Sequence, residues 1–156
     1  MSDSGSPHFR LENAEESMLK VADIMTANPV TAAPDTPLAD VVIIMKQHHC
    51  RQIPVVTGDK LAGIITDRDV RLVMNSPLVL HERADDQALL THVPAEACMT
   101  ASPLTIDADA PAVEAARLLY EHKYGGLPVL QEGRLVGIVT VSDILASYIS
   151  ELTSQS

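Results

Sequence analysis

Two stretches of this sequence place a hydroxyl and a carboxylate at a spacing that can hold a ligand. They are Thr66-Asp67-Arg68-Asp69 and Thr140-Val141-Ser142-Asp143, each following an apolar, β-branched run. A carboxylate at a helix start, just beyond a strand, can accept both hydroxyl protons of a ribose with its two oxygens. A threonine three residues earlier can donate to a phosphate or sugar oxygen, and the free N–H groups of a helix N-terminus favour anions. The rival explanation is that each Asp caps the helix it starts. The two roles are compatible.

Other chemistry is poorly supported. His48-His49-Cys50 carries imidazole and thiolate, both good zinc ligands. Neighbours at a helix end seldom aim at one metal, so no metal site is expected. Cys50 lacks a placed base and orienting partner to make it a nucleophile. Paired carboxylates and a phosphate-cradling glycine loop are also missing, and no enzyme is expected.

The elements that position these residues come from a duplication. Met25-Thr26-Ala27-Asn28-Pro29 recurs 74 residues later as Met99-Thr100-Ala101-Ser102-Pro103. The same offset maps Pro37 to Pro111, His48 to His122, Pro54-Val55 to Pro128-Val129 and Asp69 to Asp143. Gly63-Ile64-Ile65-Thr66 maps likewise onto Gly137-Ile138-Val139-Thr140. Chance does not hold one register over so many Pro, Gly and Asp matches.

In the first repeat, Thr36-Pro37 predicts an N-cap and a first helical proline, and Pro111 holds the proline's place in the second. Leu38, Val41, Val42, Met45 and His49 then form one helical face. Ala112, Ala115, Ala116, Leu119 and Lys123 occupy the same places in the second repeat. Two apolar runs separated by turn residues follow, with Pro54 and Pro128 implying an edge or a strand start. A second helix is expected from Asp69 or Asp143. The order is strand, helix, strand, strand, helix. A unit of this size is marginal alone, so the two repeats should pack together.

Composition bounds the rest. The 156 residues carry 11 Lys+Arg against 21 Asp+Glu, a formal charge of −10 that argues against a surface for duplex nucleic acid. Apolar residues make up 46% and aromatics 3%, which predicts an aliphatic core. Two cysteines are too few for a disulfide framework, and no apolar run approaches a membrane span. A soluble cytoplasmic protein is expected. Residues 1–18 read as a disordered tail, 19–74 as the first repeat, 75–92 as a connector, 93–152 as the second repeat and 153–156 as a tail.

The Met-Thr-x-x-Pro openings, the Pro-Val strands, and Gly63–Asp69 with Gly137–Asp143 resemble the CBS domain pair, also called a Bateman module. The resemblance spans about residues 19–150. It implies an α+β fold of tandem CBS repeats with pseudo-twofold symmetry and two clefts between them, dimers formed through helices, and adenine ligands. AMP, ADP and ATP come first, ahead of S-adenosylmethionine, NAD-type or cyclic dinucleotides, and no cofactor is required.

Carried over position by position, the family pattern gives a first site of Thr66, Arg68 and Asp69 with Thr100 from the other repeat. The second comprises Thr140, Ser142 and Asp143 with Thr26. Ile53-Pro54 and Leu127-Pro128, with Val30 or Leu104, would supply an aliphatic slot for a purine. Arg51 stands where relatives carry a phosphate-binding cation; Gly125 stands there in the second repeat, with Lys123 or Arg134 as compensating cations. The first site is therefore expected to be better equipped for phosphate, with Asp67 opposing it unless it points outward.

The function expected is a regulatory sensor that binds an adenine nucleotide, forms a homodimer and acts on a separate, unidentified protein. The alternative is a ligand-independent dimerisation scaffold.

Overall fold

The computed structural model describes residues 19–74, 88 and 90–154. The expected tail at 1–18, most of the expected connector and residues 155–156 lie outside the described residues. The first repeat supplies α1 (Val21–Ile24), β1 (Thr26–Ala27), α2 (Leu38–His48), β2 (Gln52–Thr57), β3 (Lys60–Thr66) and α3 (Asp67–Met74). The second supplies a 3-10 turn (Ala95–Ala97), β4 (Thr100–Ala101), β5 (Ile106–Asp107), α4 (Ala112–His122), β6 (Gly126–Gln131), β7 (Arg134–Thr140) and α5 (Val141–Ser154).

Each sheet is completed by the other repeat. One sheet runs β2-β3-β4 and the other β1-β7-β6-β5. Strand β4 pairs antiparallel with β3 through Ile64 and Thr100, and β1 with β7 through Thr26 and Ile138. The glycines at Gly63 and Gly137 permit this crossing. A Cβ on Gly63 would sit 2.7 Å from the Thr100 carbonyl oxygen, and one on Gly137 would sit 2.9 Å from that of Thr26. Backbone bonds stitch the exchange further: Ala95 donates to the Thr36 carbonyl at 2.8 Å, and Val21 to that of Ala110 at 2.8 Å.

The two cores follow the same exchange. The first gathers Leu38, Val41, Met45, Ile53, Val55, Ile65 and Val70 with Ala95 of the second repeat. The second gathers Ala115, Leu119, Leu127, Val129 and Val139 with Val21 of the first. Fully burying each Leu, Ile or Val contributes about 1.5–3 kcal/mol. Neither repeat closes its core without residues of the other.

Local details correct several expectations. Pro37, not Thr36, is the N-cap of α2, and the Thr36 hydroxyl accepts the Ala33 N–H at 2.9 Å. His49 lies past the helix end in a left-handed conformation, φ 53°, so it leaves the helical face. The second helices start two residues earlier than expected, at Asp67 and Val141. Pro54 lies on β2, whose outer side Ala32 covers by a parallel bridge to Val55, donating to the Pro54 carbonyl at 3.0 Å, so Pro54 is not on a bare edge. Pro128 lies in β6, which is paired on both sides. It is tolerated because the parallel pairing with β5 begins only at Val129. Among the described residues, no helix is long and apolar enough to cross a membrane.

Candidate functional site

Each Thr-x-x-Asp segment folds as a capping box. Thr66 is the N-cap of α3, and its hydroxyl accepts the Asp69 N–H at 3.2 Å. Asp69 reaches back: Oδ2 accepts the Thr66 N–H at 2.8 Å and the Thr66 hydroxyl at 3.0 Å. Thr140 and Asp143 repeat the backbone pair at 2.9 and 3.2 Å. Threonine is thus the cap and aspartate its partner, the reverse of the simple capping role. The arrangement keeps a carboxylate at a strand-to-helix junction, with Oδ1 of Asp69 accepting no hydrogen bond among the described residues.

Two cavities open where the repeats meet. The first encloses about 590 Å³ and is lined by Thr66, Asp67, Arg68, Asp69, Thr100 and Arg51. Leu72, Pro103, Leu104 and Pro128 give it an apolar side. The second encloses about 780 Å³ and is lined by Thr26, Thr140, Ser142 and Arg51, with His48, His49, Pro29 and Val30. Both volumes are of the size that small-molecule sites use.

The first predicted set, Thr66, Arg68, Asp69, Thr100 and Arg51, therefore comes together in one cavity. The second set divides. Thr140, Ser142 and Thr26 share a cavity, whereas Asp143 lines a separate groove with Leu19, Asp23 and Ile24. Ile53 and Leu127 line neither cavity. Alternation along β2 and β6 turns them into the two cores, where they are 0% and 1% exposed. Pro128 does line the first cavity; Pro54 is fully buried and lines neither. The apolar sides come instead from Leu104 and Val30, together with Leu72, Pro103 and Pro29.

Charge is distributed unevenly. In the first cavity Arg51, Arg68 and Lys123 face Asp67 and Asp69. Asp67 is also within 3.6 Å of Arg71 on the exposed side of α3, which draws part of its charge outward. The second cavity has no carboxylate among its lining residues, and Arg51 is its permanent cation. Lys123 belongs to the first cavity, so it does not compensate for Gly125 in the second. Arg134 lies in neither; it pairs with Asp59 at 3.2 Å, joining the two hairpins. His48, His49 and Cys50 all line the second cavity, but no group of three or more metal-ligating side chains gathers among the described residues.

The CBS domain family model matches residues 21–76 and 95–150. The chain belongs to the CBS domain family. It is 39% identical to a CBS domain-containing protein of Dictyostelium discoideum over 127 residues, covering 80% of this chain and 88% of that one. Its fold is similar to that of CBSX2 in complex with AMP, with TM-score 0.71, 27% identity, and coverage of 84% of this chain and 97% of the other. It is also similar to the CBS domain pair of MJ0100 in complex with 5′-methylthioadenosine and S-adenosyl-L-methionine. There the TM-score is 0.71 and the identity 26%, covering 86% of this chain and 98% of that one.

Within this CBS pair, sequence reasoning missed the junction between the cavities. Gln52 and Gly125 line both, as Arg51 does. A Cβ on Gly125 would sit 2.5 Å from the Gln52 side-chain nitrogen, and one on Gly126 would sit 2.5 Å from its oxygen. The Gln52 amide thus occupies the space that side chains at 125 and 126 would need. The signal was available in the repeat register, which aligns 51–52 with 125–126, but not in any single motif.

Both cysteines are half-buried and free, and Cys98 packs against the first core. Burial pushes both thiols above their ordinary value, and the nearby Asp69 charge pushes Cys98 further in the same direction. Neither is activated as a thiolate.

Proposed function

We propose that this CBS pair is a regulatory module that binds an adenine nucleotide in its first cavity and reports occupancy to a separate protein. The observation that carries this reading is the first cavity itself. It sets two carboxylates, two threonine hydroxyls and three cations around an apolar wall built by both repeats. Ribose takes Asp69, the purine takes Leu104, Pro103 and Pro128, and phosphate takes Arg51, Arg68 and the Thr100 hydroxyl. Contrary to expectation, the Thr66 hydroxyl has no proton for it, having given its own to Asp69. The related CBS proteins seen with AMP and with S-adenosyl-L-methionine support an adenosine ligand. AMP, ADP and ATP lead the candidates, and S-adenosylmethionine follows. Because the cavity is lined by both repeats, a ligand there tightens one against the other and favours the conformations in which they close. No catalytic step is proposed, and the cytoplasm is the proposed location.

A homodimer belongs to the same proposal. Helix α5 has no buried residue, and it exposes Leu145, Tyr148, Ile149 and Leu152 at i, i+3, i+4 and i+7 spacing. An apolar stripe of this kind on the outside of a helix suits a second copy of the chain. The same stripe favours the alternative reading, a scaffold whose assembly ignores ligands.

A thermal-shift panel of adenine nucleotides and S-adenosylmethionine, followed by calorimetry and sedimentation of the best ligand, separates the two. A ligand at about 100 times its dissociation constant adds about 2.7 kcal/mol to folded-state stability, a readily measured shift. One selective ligand supports the sensor. A flat panel with a stable dimer supports the scaffold.

A further inference from the structure

The two cavities share one cation. Arg51 directly precedes β2 at the junction of the repeats, and it lines both cavities. Its backbone is fixed there, since the Arg51 carbonyl accepts the Asp67 N–H at 2.9 Å. Its guanidinium makes no ion pair with any described residue, unlike Arg71 and Arg134. The position related to it by the repeat is Gly125, whose carbonyl accepts the Val141 N–H at 3.0 Å in the same way. The Gln52 amide fills the space where a second basic side chain would begin.

We infer that Arg51 makes the two cavities compete for phosphate, so that filling the first weakens the second. This deepens the nucleotide reading and rests on it. The first cavity has Arg68 and Lys123 besides Arg51, but also Asp67 and Asp69. The second relies on Arg51 for permanent positive charge. A phosphate held in the first cavity draws the guanidinium toward it and adds negative charge at the junction. A second phosphate then meets no permanent cation. By linkage, the second cavity weakens the first by the same factor. A chain that reads one nucleotide at a time is the functional result.

Calorimetry of the full chain with AMP tests this, with adenosine as the phosphate-free probe. Wild type should take one AMP tightly and a second at least about tenfold more weakly, the scale of one charge-assisted hydrogen bond. Asp69→Ala weakens the first cavity about a hundredfold. The remaining site should then bind AMP about tenfold more tightly than the weak step of wild type, because Arg51 is released to it. Adding Arg51→Gln should remove that gain and bring AMP down to the affinity of adenosine. The double variant Gln52→Ala/Gly125→Arg supplies a second cation and should bring the two wild-type steps together. Asp69→Asn serves if the alanine variant does not fold.

Two independent AMP sites in wild type, with the remaining site unchanged by Asp69→Ala, would overturn the competition alone. Absence of AMP and adenosine binding in wild type would overturn the nucleotide reading and the competition with it.

Discussion

Replacing Asp69 with Ala separates a structural role from a binding role at one residue. Its carboxylate accepts the Thr66 N–H at 2.8 Å and the Thr66 hydroxyl at 3.0 Å, at the start of α3. Losing the back-bonding half of a capping box costs about 1–2 kcal/mol, within the range measured for helix caps. For a chain of this size that lowers the melting temperature by about 2–8 °C. Ribose binding loses two hydrogen bonds to an ionised acceptor, each worth about 1.5–3 kcal/mol. Because Oδ2 is already engaged by Thr66, the lower figure applies to both. The first cavity should bind AMP about a hundredfold more weakly, from about 3 kcal/mol.

The assay has two arms: melting of ligand-free protein, and calorimetry with AMP. Asp143→Ala is the internal control. It removes the acceptor of the Thr140 N–H at 2.9 Å, one bond where Asp69→Ala removes two, so it should also melt earlier, by a smaller amount. It should leave the first cavity's affinity unchanged, since Asp143 lines a different groove. Unaltered melting in both variants would refute the capping box. Unaltered AMP affinity in Asp69→Ala would refute the ribose assignment, however large the stability loss.

Three further outcomes follow from the same geometry. Gly63→Ala places a Cβ 2.7 Å from the Thr100 carbonyl oxygen, so the crossing of β3 and β4 must open; chemical denaturation should show a loss of about 1–3 kcal/mol. Glu132 and Gly133 both have positive φ, 52° and 79°, in the two-residue β6–β7 turn, so Glu132→Asn creates the Asn-Gly pair that this turn prefers. It should stabilise the fold by about 0.5–1 kcal/mol in the same assay, and a loss would contradict the turn assignment. The raised thiols of Cys50 and Cys98 deprotonate later in the folded chain than in the unfolded one. Their contribution to stability is therefore complete below the ordinary thiol value of 9.0 and is lost as pH rises through the raised folded values. Melting temperature should fall across that alkaline window by less in the double Cys→Ser variant, and alkylation at neutral pH should be slower than for a free thiol.

The sequence carries the fold through its repeat. One register aligning Pro, Gly, Thr and Asp over about fifty residues left few architectures to consider. It carries the first cavity nearly as well, because Thr66, Arg68 and Asp69 lie on one strand-to-helix turn. What it hid were the facts that depend on which way a side chain faces. Ile53 and Leu127 neighbour the prolines in sequence, yet a strand sends successive side chains to opposite faces, and both entered the cores. His49 looked like the last member of a helical face until the helix closed at His48 and the next residue turned left-handed.

The same reasoning explains why the asymmetry between the clefts was only half visible. Gly125 in place of a cation is plain in the aligned repeats, and it suggests a weaker second site with its own missing charge. The packing of the Gln52 amide against Gly125 and Gly126 shows what takes the place of the missing side chain. Only the position of Arg51 at the junction turns a missing residue into a shared one. A duplicated domain that diverges at one paired position does more than weaken a site. Where the two halves meet on an axis, the surviving side chain is available to both, and its charge becomes the means by which one cleft senses the other.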